Sequence, residues 1–128
     1  RAPLHATATG KAVLAFGDPV LTHDLLSGSL EAFTPRTLVS PADLARDLGE
    51  TRARGYSVEW EEFALGYASM GAPLVGLGGR IMGAVAVTTS VDELDVARTS
   101  EALLATTRQI SERLGGSGVR PASSRAMA

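Results

Sequence analysis

The sequence predicts a single α+β domain, α/β in its broad sense, and three observations predict it. Residues 65–89 read as two apolar runs folded about Gly78-Gly79, the pattern of an antiparallel hairpin. Residues 56–61, Tyr-Ser-Val-Glu-Trp-Glu, alternate strictly between apolar and polar, as a strand with unlike faces does. On either side of these strands lie segments of helical period with start and stop signals. A length of 128 residues fits one domain, and 45% apolar residues suffice for a core.

In chain order, Pro3 keeps the first residues out of a helix interior. A helix over residues 7–16 starts at threonines able to cap it. Asp18 offers an N-cap before Pro19 at the first helical position, and Gly28 stands where a C-terminal cap falls, so a second helix covers residues 20–26. Residues 34–39 are an extended connector. Ser40-Pro41-Ala42-Asp43 opens a third helix with Leu44 and Leu48 on one face, Glu50 placed to pair with Arg54, and Gly55 to end it. In the strand that follows, Tyr56, Val58 and Trp60 share one face and Ser57, Glu59 and Glu61 the other. Trp60 points away from Glu59 and is expected as a core or interface aromatic. Ser90-Val91-Asp92-Glu93 resembles a capping box and launches a long helix whose apolar positions include Leu94, Ala97, Leu103, Leu104, Ile110 and Leu114, with Gly115-Gly116 as its stop. The domain is expected over residues 1–116, and residues 117–128, with almost nothing to bury, as a disordered tail.

A hairpin centred on Gly78-Gly79 opposes Met70 to Val87, Ala72 to Val85 and Leu74 to Gly83 on one face, the core face. The other face pairs Ser69 with Thr88, Gly71 with Ala86, Pro73 with Ala84 and Val75 with Met82. Two hydroxyls stand at one end of it with small residues behind, an arrangement with room for a small polar molecule. From the hairpin alone, close packing of a helix is the favoured reading of those small residues.

Composition removes several function classes. Twelve Lys plus Arg against fourteen Asp plus Glu give a net charge of −2, so no basic field is present to hold a phosphate backbone, and this chain by itself is not expected to bind DNA. There is no cysteine, hence no disulfide, thiolate metal site or cysteine nucleophile, which is compatible with a reducing cytosol. His5 and His23 lack the spacing of metal ligands on one helix face, so neither metal nor cofactor is expected. Around Gly10-Lys11 a phosphate-binding loop would need glycine at His5 and Ser or Thr at Ala12, and Ile81 stands where the third glycine of a dinucleotide loop belongs. No Gly-x-Ser-x-Gly nucleophile turn occurs. Glu59, Glu61 and Glu62 include the residue types of a general acid and base, but successive strand residues diverge, so a solvated acidic edge is expected instead. With these catalytic motifs missing, no enzyme is expected; no apolar run reaches the roughly 18 residues of a membrane span and no signal peptide is visible, so a soluble, cytoplasmic protein is expected. The chain opens on Arg1 and enters a motif at once, as part of a longer protein would.

Four blocks, in order, carry a family resemblance over about residues 2–116: Pro3-Leu4-His5-Ala6 leading to Gly10-Lys11-Ala12; a threonine-bearing connector from Thr34 to Leu38 with Arg52-Ala53-Arg54-Gly55-Tyr56 after it; Glu61-Glu62 leading to Gly66; and Ala72-Pro73-Leu74-Val75. Together they resemble the C-terminal effector-binding domain of the IclR family of bacterial transcriptional regulators. The resemblance implies a GAF-like fold, an antiparallel sheet flanked by helices with a small-molecule pocket on one sheet face. It also implies that the family's N-terminal winged helix-turn-helix and the early strands of the effector domain are missing from these residues, so DNA is a partner only through that other domain. Carried over by motif, the effector site is Ala8 and Thr9 at the start of the first helix, Glu59 on the acidic strand, Ser69 on the first hairpin strand, and Ala86 and Thr88 on the second.

Ser69, Ala86 and Thr88 are also the residues that hairpin pairing puts on one face, and this agreement favours a pocket over simple packing. The helix N-terminus near Thr9 suits a carboxylate, the Ser69 and Thr88 hydroxyls its other oxygens, and Glu59 a ligand hydroxyl. Departures from members of the family that take small oxo-acids bear on ligand identity: Glu59 stands where Asp is common, Trp60 where another acid often lies, Ser69 where Cys occurs and Ala86 where Ser occurs. The expected function is that of a sensor controlling operator binding by a separate domain. Competing readings are a self-association module with an unused pocket and an acid-base enzyme of small metabolites. Only three strands are identified and an edge is left open, so homo-oligomers are expected.

Overall fold

The structure, a computed structural model, describes residues 3–119. Three antiparallel strands, β1 (Ser57–Trp60), β2 (Tyr67–Val75) and β3 (Ile81–Ser90), form a sheet in that spatial order. Four helices pack around it: α1 (Ala8–Phe16), α2 (Pro19–Leu26), α3 (Pro41–Arg54) and α4 (Val96–Arg113). The first three start as their sequences predict. Thr7 caps α1 by accepting from the Gly10 N–H, Asp18 caps α2 ahead of Pro19, and Ser40 caps α3 ahead of Pro41, while Gly55 ends α3 in the left-handed region at φ 94°.

The sheet divides the molecule into two cores. On one side α4 buries Leu103 against Met70 and Ala72, with Tyr56, Val58, Val85, Leu94 and Leu104 around them. On the other side α1 lies across β2 and β3, and its outer flank joins α2 and α3 in a second apolar cluster of Leu14, Ala15, Leu30, Leu44 and Leu48. Close approach of α1 to the sheet depends on Gly71, where a Cβ would lie 2.7 Å from the Ala8 carbonyl oxygen. The Ser57 hydroxyl donates to that same carbonyl at 2.6 Å and ties the helix start to β1.

The hairpin register matches the expected pairing from Ser69↔Thr88 to Leu74↔Gly83. It departs at the turn end, where Val75 opposes Ile81 instead of Met82, so β3 carries one extra residue and Met82 points to solvent. Further expectations need correction. The start of α4 is capped by Asp95, not by the Ser90 capping box, because Ser90 still pairs with Tyr67 in the ladder and Ser90–Glu93 closes as a turn. On that helix Ala97 and Leu114 are exposed. Glu50 takes no part in an ion pair with Arg54 among the described residues, since Arg54 donates to the Tyr56 carbonyl at 2.8 Å and stacks on the Tyr56 ring. The segment 34–39 is a folded loop, not an extended one: the Thr37 hydroxyl oxygen accepts from the Phe33 and Thr34 N–H groups and donates to the Glu62 carbonyl. Glu61 leaves the strand with φ 56°, and Trp60 is 37% exposed, so it is not a core aromatic. Residues 117–119 continue without regular secondary structure, and the rest of the expected tail lies outside the described residues.

Candidate functional site

A concavity of about 320 Å³ lies between the start of α1 and the ends of β1, β2 and β3, and all six residues selected from the sequence line it: Ala8, Thr9, Glu59, Ser69, Ala86 and Thr88. Strand alternation brings four of them together, because Glu59 opposes Ser69 and Ser69 opposes Thr88, with Ala86 two residues before Thr88 on the same face of β3. The small side chain of Ala86 leaves the space that the helix start does not fill.

Two chemistries meet across this space. At the α1 end, Thr7 satisfies the Gly10 N–H, but the N–H groups of Ala8 and Thr9 lie before the first intrahelical donor, the Lys11 N–H, and have no partner among the described hydrogen bonds. They form a donor end with the positive pole of the helix behind it. At the β1 end, Glu59 is 5% exposed and accepts from the Ser69 hydroxyl at 2.8 Å and from the Glu62 N–H at 2.6 Å. Ser69 has only one hydroxyl proton and gives it to Glu59, so toward the cavity both residues present lone pairs. The Ser69 proton is therefore committed to Glu59 and not free for the expected donation into the cavity, and Thr88 is the hydroxyl with no partner among the described hydrogen bonds.

Behind Glu59 lies a buried ionic cluster. Lys11, the only lysine in the sequence, is wholly buried. Its ammonium lies 2.8 Å from Asp47 Oδ2 on α3 and 2.5 Å from Glu62 Oε1, and donates to the Val58 carbonyl on β1 at 3.3 Å. One cation thus holds α1, α3 and the end of β1 together, and through the Glu62 N–H fixes the Glu59 carboxylate. Burial pushes the Glu62 carboxyl above the usual carboxylate range, and Lys11 opposes that shift without cancelling it. The expectation of a solvated acidic edge is therefore overturned: Glu59 and Glu62 are buried, since α1 covers this face and brings a cation with it. Glu61 alone keeps an edge role, with its carboxylate accepting from the Gly66 N–H and lying 3.3 Å from Arg36.

Four further residues line the concavity that sequence reasoning did not single out: Thr7, Phe63, Ala64 and Tyr67. Tyr67 was accessible to the alternation argument, since it stands two residues before Ser69 on the same face. Phe63 and Ala64 lie in an irregular loop whose direction no periodicity reports. No cluster of metal-binding side chains occurs among the described residues, and no described helix is long and apolar enough to cross a membrane.

Comparison with known proteins agrees with this architecture. The family described as bacterial transcriptional regulator IclR C-terminal matches residues 1–112. The glycerol operon regulatory protein of Streptomyces coelicolor is 41% identical over 92 residues, which is 72% of this chain and 36% of that protein. The HTH-type transcriptional regulator BhcR of Paracoccus denitrificans is 36% identical over 115 residues, 87% of this chain and 41% of the relative. Among solved structures, the Agobacterium tumefaciens repressor BlcR has a TM-score of 0.84 at 30% identity, over 90% of this chain and 49% of that one. Thermotoga maritima IclR has the same TM-score and identity over 89% and 48%. The chain spans less than half the length of each of these relatives. Sequence blocks, sheet register and shared fold converge on one conclusion: the chain belongs to the C-terminal domain family of bacterial IclR transcriptional regulators.

Proposed function

We propose that this domain is an effector sensor, whose ligand is a small carboxylate bearing a hydroxyl group, and that its occupancy biases operator binding by a DNA-binding domain elsewhere in a longer, cytoplasmic regulator. The observation that carries this reading is the polarity of the concavity. Free helix N–H groups at Ala8 and Thr9 face a carboxylate's oxygens, and the acceptor pair of Glu59 and Ser69 faces a hydroxyl proton. An anion at a helix N-terminus gains about 0.3–2 kcal/mol, and a hydrogen bond to a charged group about 1.5–3 kcal/mol. The two ends together account for a weak to moderate affinity, as a sensor of an abundant metabolite requires. Regulation follows when the ligand prefers one of two arrangements of the whole protein.

Glycolate, which joins one hydroxyl to one carboxylate, is the direct probe. Titrated into the chain labelled with nitrogen-15, it should shift the Ala8 and Thr9 amide resonances and the Glu62 amide. Saturable shifts confined to other regions would contradict the reading. A self-association role has support of its own in the outer edge of β3, a ten-residue strand with no neighbouring strand on that side among the described residues. Light scattering over a dilution series checks it, with a mass that rises with concentration expected and a constant monomer mass as the opposite outcome.

A further inference from the structure

The polar ends do not account for the outer wall of the concavity. There the lining is aromatic: Phe63 is 43% exposed and Tyr67 56% exposed, and both border the same space as Glu59 and Thr9. Exposed rings of this size at the mouth of a cavity have unspent apolar surface, and solvating them is unfavourable.

Phe63 is positioned by a ring contact and by the closure of its loop. Its ring meets Phe33 edge-on with centroids 5.4 Å apart, Phe33 lies 5.8 Å from the His5 ring, and His5 Nε2 is 2.7 Å from the Glu31 carbonyl oxygen. The loop that carries it is closed at both ends: the Glu61 N–H donates to the Tyr67 carbonyl, the Gly66 N–H to the Glu61 carboxylate, and the Thr34 hydroxyl to the Glu61 carbonyl. An aromatic side chain fixed in this way costs little ordering entropy when a ligand contacts it.

We propose that Phe63 and Tyr67 are specificity-determining residues, and that the ligand is a hydroxycarboxylate with an apolar, preferably aryl, substituent that lies against this rim. The inference rests on the proposed binding of the hydroxycarboxylate head at Ala8, Thr9, Glu59 and Ser69, and adds the class of the group attached to it. Head and substituent need opposite environments, and the concavity supplies both within one volume of about 320 Å³. Stacking or edge contact with an aromatic ring is what an aryl group gains here and a methyl group does not.

The test compares three probes, glycolate, lactate and mandelate, titrated by calorimetry into the chain and into Phe63→Ala, Phe63→Leu and Tyr67→Ala, with melting curves recorded for each variant. Mandelate should bind about tenfold more tightly than lactate. Phe63→Ala should remove most of that advantage, weakening mandelate more than lactate and lactate more than glycolate, which has no substituent to reach the rim, and Phe63→Leu should keep an intermediate part of it. Mandelate no better than lactate, or a Phe63→Ala loss equal for all three probes, would overturn the assignment of the rim while the reading of the polar end stands. If none of the three binds, both are overturned. If the rim variants change the molecular mass in solution and leave mandelate affinity untouched, the rim serves a protein partner and the proposal fails.

Discussion

On its α4 side the sheet presents Val58, Met70, Ala72 and Val85, and the helix answers with Leu103 and Leu104. On its α1 side the same three strands present Ser57, Glu59, Ser69, Gly71, Ala86 and Thr88, and the helix answers with its own polar start and with Lys11. Alternation along each strand makes the two faces neighbours one residue apart, yet they are buried by different physics. The α4 face is held by apolar contact, which is non-directional and best tolerates apolar side chains of similar volume. The α1 face is held by directed bonds between a few polar atoms, and these fix atomic positions in a way apolar packing does not. A binding site needs the second kind of order, and the concavity opens where α1 stops covering that face.

The largest effect should come from the cation of the polar face. Lys11→Met leaves Asp47 and Glu62 buried without their counter-charge, and a loss of about 3–5 kcal/mol is expected in urea unfolding. Adding Asp47→Asn and Glu62→Gln should recover much of it, and a single variant as stable as the parent would break the comparison. Met70→Ala, in the fully buried centre of the apolar face, should cost about 2–5 kcal/mol and leave glycolate affinity as it was.

Gly71→Ala is expected to cost less, about 1–3 kcal/mol, yet to harm binding, because a Cβ 2.7 Å from the Ala8 carbonyl oxygen moves the helix start that carries the donor end. Full affinity in this variant would show that the α1 position is not critical.

Smaller still is a pH effect at Glu62. Its carboxyl titrates higher in the folded chain than in the unfolded one, so its contribution to stability is complete below the unfolded value near 4.5 and declines as pH rises through the raised folded value. Glu62→Gln should flatten the stability curve in that window, which unfolding measured from pH 4 to 7 reads directly, with an unchanged slope as the contrary result.

The parts of this molecule that local rules govern were legible in its sequence. Caps at Thr7, Asp18 and Ser40, the αL glycine at position 55, and the hairpin register through Leu74 all follow from chemistry within a few residues. The six residues around the concavity were legible because alternation selected three of them and a motif supplied the rest. What escaped depends on distant partners. Glu59 and Glu62 read as a solvated edge because nothing near them in sequence reveals that α1, far upstream, covers them and brings Lys11 against Glu62. Ser90 reads as a cap because its pairing with Tyr67 is a long-range fact. The turn of the 34–39 segment depends on the Glu62 carbonyl that Thr37 reaches.

The central claim is that the face under α1 recognises a ligand while the face under α4 only holds the fold, and Thr88→Val tests it most directly. Thr88 is exposed and its hydroxyl has no partner among the described hydrogen bonds, so that hydroxyl can be removed without leaving a protein partner unsatisfied. Glycolate titrated into the parent, Thr88→Val and Met70→Ala, with melting curves for all three, should show affinity reduced by about 0.5–3 kcal/mol in Thr88→Val alone and melting temperature reduced in Met70→Ala alone. Undiminished glycolate affinity in a folded Thr88→Val, or a loss of affinity in Met70→Ala that matches it, would contradict the division of the sheet into a recognising face and a supporting one.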